Sequence, residues 1–130
     1  IPLAQLMQPE LVNFGLQLDL VKKFDQQRAQ VIFACLVDKD LPGLSKALTP
    51  IVAQWHCVTL DVDRALSSEA LVKGINTHGS HQEAIAHPSI RSACTAAILH
   101  GKSEKQPILV AGSFHTIGKV RLELDQLLNL

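Results

Sequence analysis

The sequence has no surplus of charge of either sign. Its 12 basic and 12 acidic side chains cancel and no basic block occurs, which argues against a surface that tracks nucleic-acid phosphates. It also lacks a cysteine framework. Cys35, Cys57 and Cys94 are odd in number, lie in apolar segments without CxxC spacing, and fit reduced core residues of a cytosolic protein. No apolar run approaches the length needed to span a bilayer. Neither a GxSxG nucleophile elbow nor a GxxxxGK[ST] phosphate loop is present, so this chain alone offers no obvious cradle for ATP phosphates. The start, Ile1-Pro2-Leu3, carries no initiator Met and no basic signal region, and the expectation is a processed chain or a piece of a longer one.

What is present fits one folded domain over residues 1–130, with 47% hydrophobic and 18% charged residues. The most informative stretch is Gln106 to Thr116. Ile108 to Ala111 form a short apolar run suited to a buried strand, with Pro107 before it. Gly112 permits a sharp turn, and Ser113 stands where a following helix needs an N-cap. Ile117, Val120, Leu124 and Leu127 then recur at helical spacing. A strand that passes through Gly-Ser into a helix directs unpaired N–H groups at one point, which favours a carboxylate or phosphate. A capped helix without a ligand fits the same pattern.

Upstream, residues 10–26 fit either a period-two strand or a helix. Val31 to Val37 is a continuous apolar run expected to be a strand buried on both faces, ending in the charged loop Asp38-Lys39-Asp40. Asp40 can cap a helix bearing Leu41, Leu44, Leu48 and Ile51, which Pro50 should end or kink. Trp55 to Leu60 is the next expected strand, followed by a polar loop at Asp61 to Arg64. Ser67-Ser68 then caps a short helix, and residues 74–82 look like a loop. Ala84 to Ala86 fits a brief edge strand. Ser89 fits an N-cap for a helix that Gly101 should close.

Strands alternating with helices imply an α/β fold, a mostly parallel sheet with helices on both faces. Ligands in such sheets bind at the carboxyl ends of strands, where Asp38–Asp40, Asp61–Arg64 and Gly112-Ser113 all fall. His78, His81 and His87 lie close together, but their spacing matches no zinc signature and a solvated loop is expected there. His56, beside Trp55 within a strand, is expected to be a satisfied histidine.

The pairing of Leu36-Val37-Asp38-Lys39-Asp40 with Ile108-Leu109-Val110-Ala111-Gly112-Ser113-Phe114-His115-Thr116 resembles the C-terminal domain of bacterial folylpolyglutamate synthase/dihydrofolate synthase enzymes, within the Mur ligase group. The spacing of the two motifs, Trp55 and Arg64-Ala65 agree with it, over roughly residues 28–120. The resemblance implies a Rossmann-like domain with a helix before the Val31 strand. It also implies a reaction in which ATP phosphorylates a carboxyl group of pteroate or folate and the amine of L-glutamate attacks the acyl phosphate. ATP and Mg²⁺ would sit mainly on an upstream P-loop domain, and none would be bound by this domain alone. Ser113 would hold a glutamate carboxylate, Lys39 would add a second positive contact, and Arg64 and His115 would be weaker contributors. Asp38, Asp40 and Gly112 would support the loops. The family's Asp-x-x-His-Asn-Pro segment is matched only by Ala4-Gln5-Leu6-Met7-Gln8-Pro9, which keeps the Pro alone. The domain by itself is therefore expected to be inactive, with no catalytic residue and no metal ligand assigned in it. The alternative is a stand-alone module that binds a small anion and catalyses nothing.

Overall fold

The computed structural model describes residues 28–77, 83–112 and 114–128, and the side chains of 114–117 are not among what it describes. The alternatives for residues 10–26, and the placements of His78, His81 and Ser113, lie outside the described residues.

Four short strands form the centre: β1 (Ala29–Phe33), β2 (Val52–Cys57), β3 (Glu83–Ala86) and β4 (Ile108–Ala111). Between and after them run helices α1 (Leu41–Leu48), α2 (Ser68–Thr77), α3 (Ile90–Glu104) and α4 (Phe114–Leu128). The sheet order is β3-β2-β1-β4 and every pairing is parallel, as expected for strands that are continuously apolar. The chain steps from β1 outward to β3 through α1 and α2, then returns across the sheet through α3 to β4, by crossovers of a kind that is right-handed as a rule in parallel sheets. That path puts α1 and α2 on one face and α3 on the other.

The core is the sheet itself. Phe33 and Trp55 are fully buried and meet edge to face, with ring centroids 5.3 Å apart. Ile32, Ile108, Leu109, Leu71 and Ile75 are likewise shut off from solvent. All three cysteines are free and buried, as their apolar settings imply, and burial pushes the thiols of Cys57 and Cys94 up to about 12.

Local rules hold at several helix starts. The Asp40 carboxylate accepts the Gly43 N–H at 3.1 Å, Ser67 Oγ accepts from Ala70 N–H at 3.1 Å, and Ser89 Oγ accepts from Ser92 N–H at 3.0 Å. A short 3₁₀ turn, Thr49–Ile51, follows α1 where Pro50 intervenes.

Four expectations need correction. β1 stops at Phe33, because beyond it Leu36 leaves the parallel ladder and bridges Ala65 in antiparallel fashion. β2 starts at Val52 and ends at Cys57, where its partner β3 also ends, although Val58 still donates to the Phe33 carbonyl. α2 continues through Gly74 to Thr77. α3 passes through Gly101 and ends three residues later, with Lys105 in the left-handed conformation at φ 55°.

Candidate functional site

The loops after β1 and β2 leave the carboxyl edge of adjacent central strands and are fastened to each other through their backbones. Val37 N–H donates to the Arg64 carbonyl at 2.8 Å, and Leu66 N–H donates to the Cys35 carbonyl at 3.0 Å. These bonds flank the Leu36–Ala65 bridge, so residues 36–40 and 61–66 form one unit. Across this clamp the Arg64 guanidinium pairs with the Asp38 carboxylate at 3.3 Å. Both side chains are well exposed, so the pair orients Arg64 more than it stabilises the fold.

Lys39 sits at the apex of the β1 loop, exposed, with its N–H bonded to the Leu36 carbonyl at 3.1 Å. Among the described residues its ammonium enters no salt bridge. Its charge reaches the neighbouring Cys35, whose thiol burial raises to about 11 while Lys39 pulls the other way. Asp40 is committed to capping α1. On the other side of β1, Ala34 N–H donates to the Ala111 carbonyl at 3.2 Å, and the chain then turns at Gly112. Gly112 has φ 156°, a backbone conformation that residues with side chains rarely adopt. The next residue but one opens α4.

The structure therefore gathers Asp38, Lys39, Asp40 and Arg64 on one clamped pair of loops, with Gly112 at the end of the neighbouring strand. Ser113 and the side chain of His115 lie outside the described residues. An open groove of about 520 Å³, lined by Glu69, Val72, Lys73, Asn76, Thr77 and Ala86, lies beside edge strand β3 and contains none of them. Asp38, Lys39, Asp40 and Arg64 stand exposed on an open rim formed by these loops.

The sequence pattern did not disclose a second polar feature. His56 is fully buried, and its ring nitrogens lie 2.7 Å from Gln30 Oε1 and 2.9 Å from His87 Nε2. His56 is a satisfied histidine, as expected. His87 is not solvated: it is only 9% exposed and reaches Ser92 Oγ at 3.2 Å. Burial, with the charges of His87 and His100, pushes the His56 imidazole down to about 3; burial and then His100 lower His87. The available signal was polar residues at in-phase positions of otherwise apolar strands. Among the described residues no group of three or more His, Cys, Asp or Glu side chains could hold a metal ion.

No protein-family model matches the chain. A dihydrofolate synthase/folylpolyglutamate synthase of Haemophilus influenzae is 34% identical over 104 residues, 79% of this chain and 23% of that protein. The Escherichia coli protein of the same name is 31% identical over 98 residues, 75% of this chain and 22% of its own. The chain thus spans under a quarter of the length of the curated relatives it matches. Among solved structures, the Escherichia coli FolC protein in complex with DHPP and ADP superposes with a TM-score of 0.71 at 27% identity, over 86% of this chain and 25% of that one. By sequence over about three quarters of its length, and by fold, the chain is similar to dihydrofolate synthase/folylpolyglutamate synthases.

Proposed function

We propose that this chain is the C-terminal, glutamate-binding domain of an ATP-dependent ligase that joins L-glutamate to dihydropteroate or folate through an acyl phosphate. Beyond that similarity, one observation carries this reading. The Leu36–Ala65 clamp holds an exposed lysine and an oriented arginine at the carboxyl edge of an all-parallel sheet.

Glutamate presents two carboxylates and one reacting amine. In this proposal the start of α4, with Ser113, takes one carboxylate, because the helix leaves N–H groups unpaired there. Lys39 neutralises the second. Arg64, held by Asp38, and His115 contribute less. Asp40 and Gly112 set the loop shapes. The amine attacks the acyl carbon, phosphate leaves, and the amine loses its proton. The chain's task is to hold the amine on the reacting side. ATP with Mg²⁺ supplies the phosphoryl group that activates the folate carboxyl. We assign both to a P-loop domain of a longer, cytoplasmic protein, since the described residues offer Mg²⁺ no acidic cluster. Neither nucleic acid nor membrane is a partner in this proposal. Among the described residues, no helix is long and apolar enough to cross a membrane.

The test is Lys39→Met in the intact ligase, with KM measured separately for glutamate and ATP. A charge-assisted contact is worth roughly 1.5–3 kcal/mol, so KM for glutamate should rise about ten- to a hundredfold while KM for ATP stays unchanged. Equal glutamate values in mutant and parent would return Lys39 to the solvated surface.

A further inference from the structure

β4 bounds one side of the described sheet, yet it is not exposed as an edge would be. The strand order ends at β4 on one side and at β3 on the other. No residue of β3 is buried, whereas all four residues of β4 are. Ile108 and Val110 are 0% and 2% exposed. Gln30 N–H donates to the Pro107 carbonyl and Ala34 N–H to the Ala111 carbonyl, so the backbone polar groups of Leu109 and Ala111 face β1. These groups alternate sides along a strand, so the N–H and C=O of Ile108 and Val110 face the other way. Among the described residues no strand stands there. Backbone groups shut off from water are nearly always paired. A helix laid along this edge would exclude water without pairing them, because its own backbone groups bond internally. The burial is also reached within this one chain, so the cover is part of it.

The side chains of β4 make a second, separate demand. Ile108 points to α3, since a Cβ on Gly101 would lie 3.8 Å from Ile108 Cγ1. Leu109 and Ala111 therefore project to the opposite face, beside Val31 and Phe33 of β1, and all four are buried. Among the described helices, those packed closely on β4 are α3 and α4, which also pack on each other. On the opposite face α1 has eight residues and packs on α2.

Residues 1–27 are the stretch long enough to meet both demands, since the other undescribed residues, 78–82, 113 and 129–130, are too few. Leu3-Ala4-Gln5-Leu6-Met7 is apolar but for one residue and lies between Pro2 and Pro9, so each of its residues keeps an N–H. We infer that residues 3–7 form a fifth strand, parallel to β4 along its outer edge, and that residues 10–26 are the helical crossover from it to β1. The step from beyond β4 to β1 runs in the same direction across the sheet as β1 to β2 to β3. A right-handed crossover therefore falls on the α1 face, over Leu109 and Ala111. A helix over residues 10–26 spans about 25 Å, more than the roughly 17 Å of a five-residue strand. An antiparallel strand drawn from residues 11–20 would pair the edge but leave that face bare. With the fifth strand in place, the turn at Gly112 lies inside the sheet, with strand ends on both sides.

The test is amide hydrogen exchange in the 130-residue chain, read residue by residue by NMR. Ala84 and Ala86 of β3 serve as the reference: His87 N–H faces β2, so theirs face away. The amides of Ile108 and Val110 should exchange at least about a hundredfold more slowly than these. Short proton–proton contacts from the same two amides should run to residues 3–7. Exchange as fast as at Ala84 and Ala86, or contacts to residues 11–20 instead, would overturn the inference. So would contacts seen only between differently labelled copies in a mixed sample, which would make a second chain the neighbour.

Discussion

Replacing Gly101 and Gly118 by alanine makes the same chemical change twice, in two helices, and the structure gives the two opposite signs. Gly118 lies exposed in α4, and an added Cβ would meet nothing within 4 Å. Only the backbone term remains, so Gly118→Ala should stabilise by about 0.5–1 kcal/mol. Gly101 is buried in α3, and its Cβ would lie 2.8 Å from the Gln106 carbonyl oxygen. That oxygen belongs to backbone held in place: Lys105 and Gln106 both donate their N–H groups to the Gly101 carbonyl as the helix ends. The helix-propensity gain of about 1 kcal/mol is then opposed by roughly 1–3 kcal/mol of overpacking and about 1 kcal/mol for weakened cap bonds. Gly101→Ala should therefore destabilise by about 1–3 kcal/mol. Urea denaturation reads both as midpoint shifts at constant slope, and by heat each kcal/mol moves Tm by roughly 3–5 °C. A stabilised Gly101→Ala would refute the argument, because it would mean that the carbonyl moves freely.

Two further substitutions test the ends of helices. Lys105→Gly should raise stability by about 0.5–1 kcal/mol, since a left-handed residue at φ 55° costs a side chain that glycine does not carry; a lowered Tm would contradict this. In the intact ligase, Ser113→Ala should raise the apparent KM for glutamate and cost about 1 kcal/mol of stability as a lost cap. His115→Ala should do less, and the reverse ranking in glutamate kinetics would exchange their roles.

Much of the fold was legible because buried parallel strands leave a continuous apolar trace and because caps are local. Asp40, Ser67 and Ser89 bond within three residues of themselves, so their function is written in the adjacent sequence. The misplaced boundaries share a different cause. Gly101 resembles a helix stop, yet here it provides close approach to Gln106, and the stop falls to a lysine. Gly74 similarly makes room for Leu41 of α1 instead of ending α2. Leu36 leaves its strand for Ala65, a partner 29 residues away that periodicity cannot see. At the candidate site, the residue types and their loops were legible from Asp38-Lys39-Asp40 and Arg64. The backbone clamp between those loops was not, since it depends on two segments meeting. His87 was misjudged for the same reason: its burial comes from β2 and α3, not from its own neighbours in sequence.

The position of β1 between β2 and β4 fixes an order of events on the ribosome. As the chain is synthesised, β1, β2 and β3 emerge first and can pair with one another. The other side of β1 must wait for residues 107–111, which include β4 and supply both the Pro107 carbonyl for Gln30 N–H and the Ala111 carbonyl for Ala34 N–H. At about 5–20 residues per second, the roughly fifty residues between the end of β2 and the start of β4 take several seconds to appear. During that interval the fully buried β1 has one open edge, and α3 can cover its face only once residues 90–104 have emerged. Slow elongation would lengthen this exposure. The nascent chain is then most vulnerable at Val31-Ile32-Phe33, the same segment that later forms the centre of the sheet.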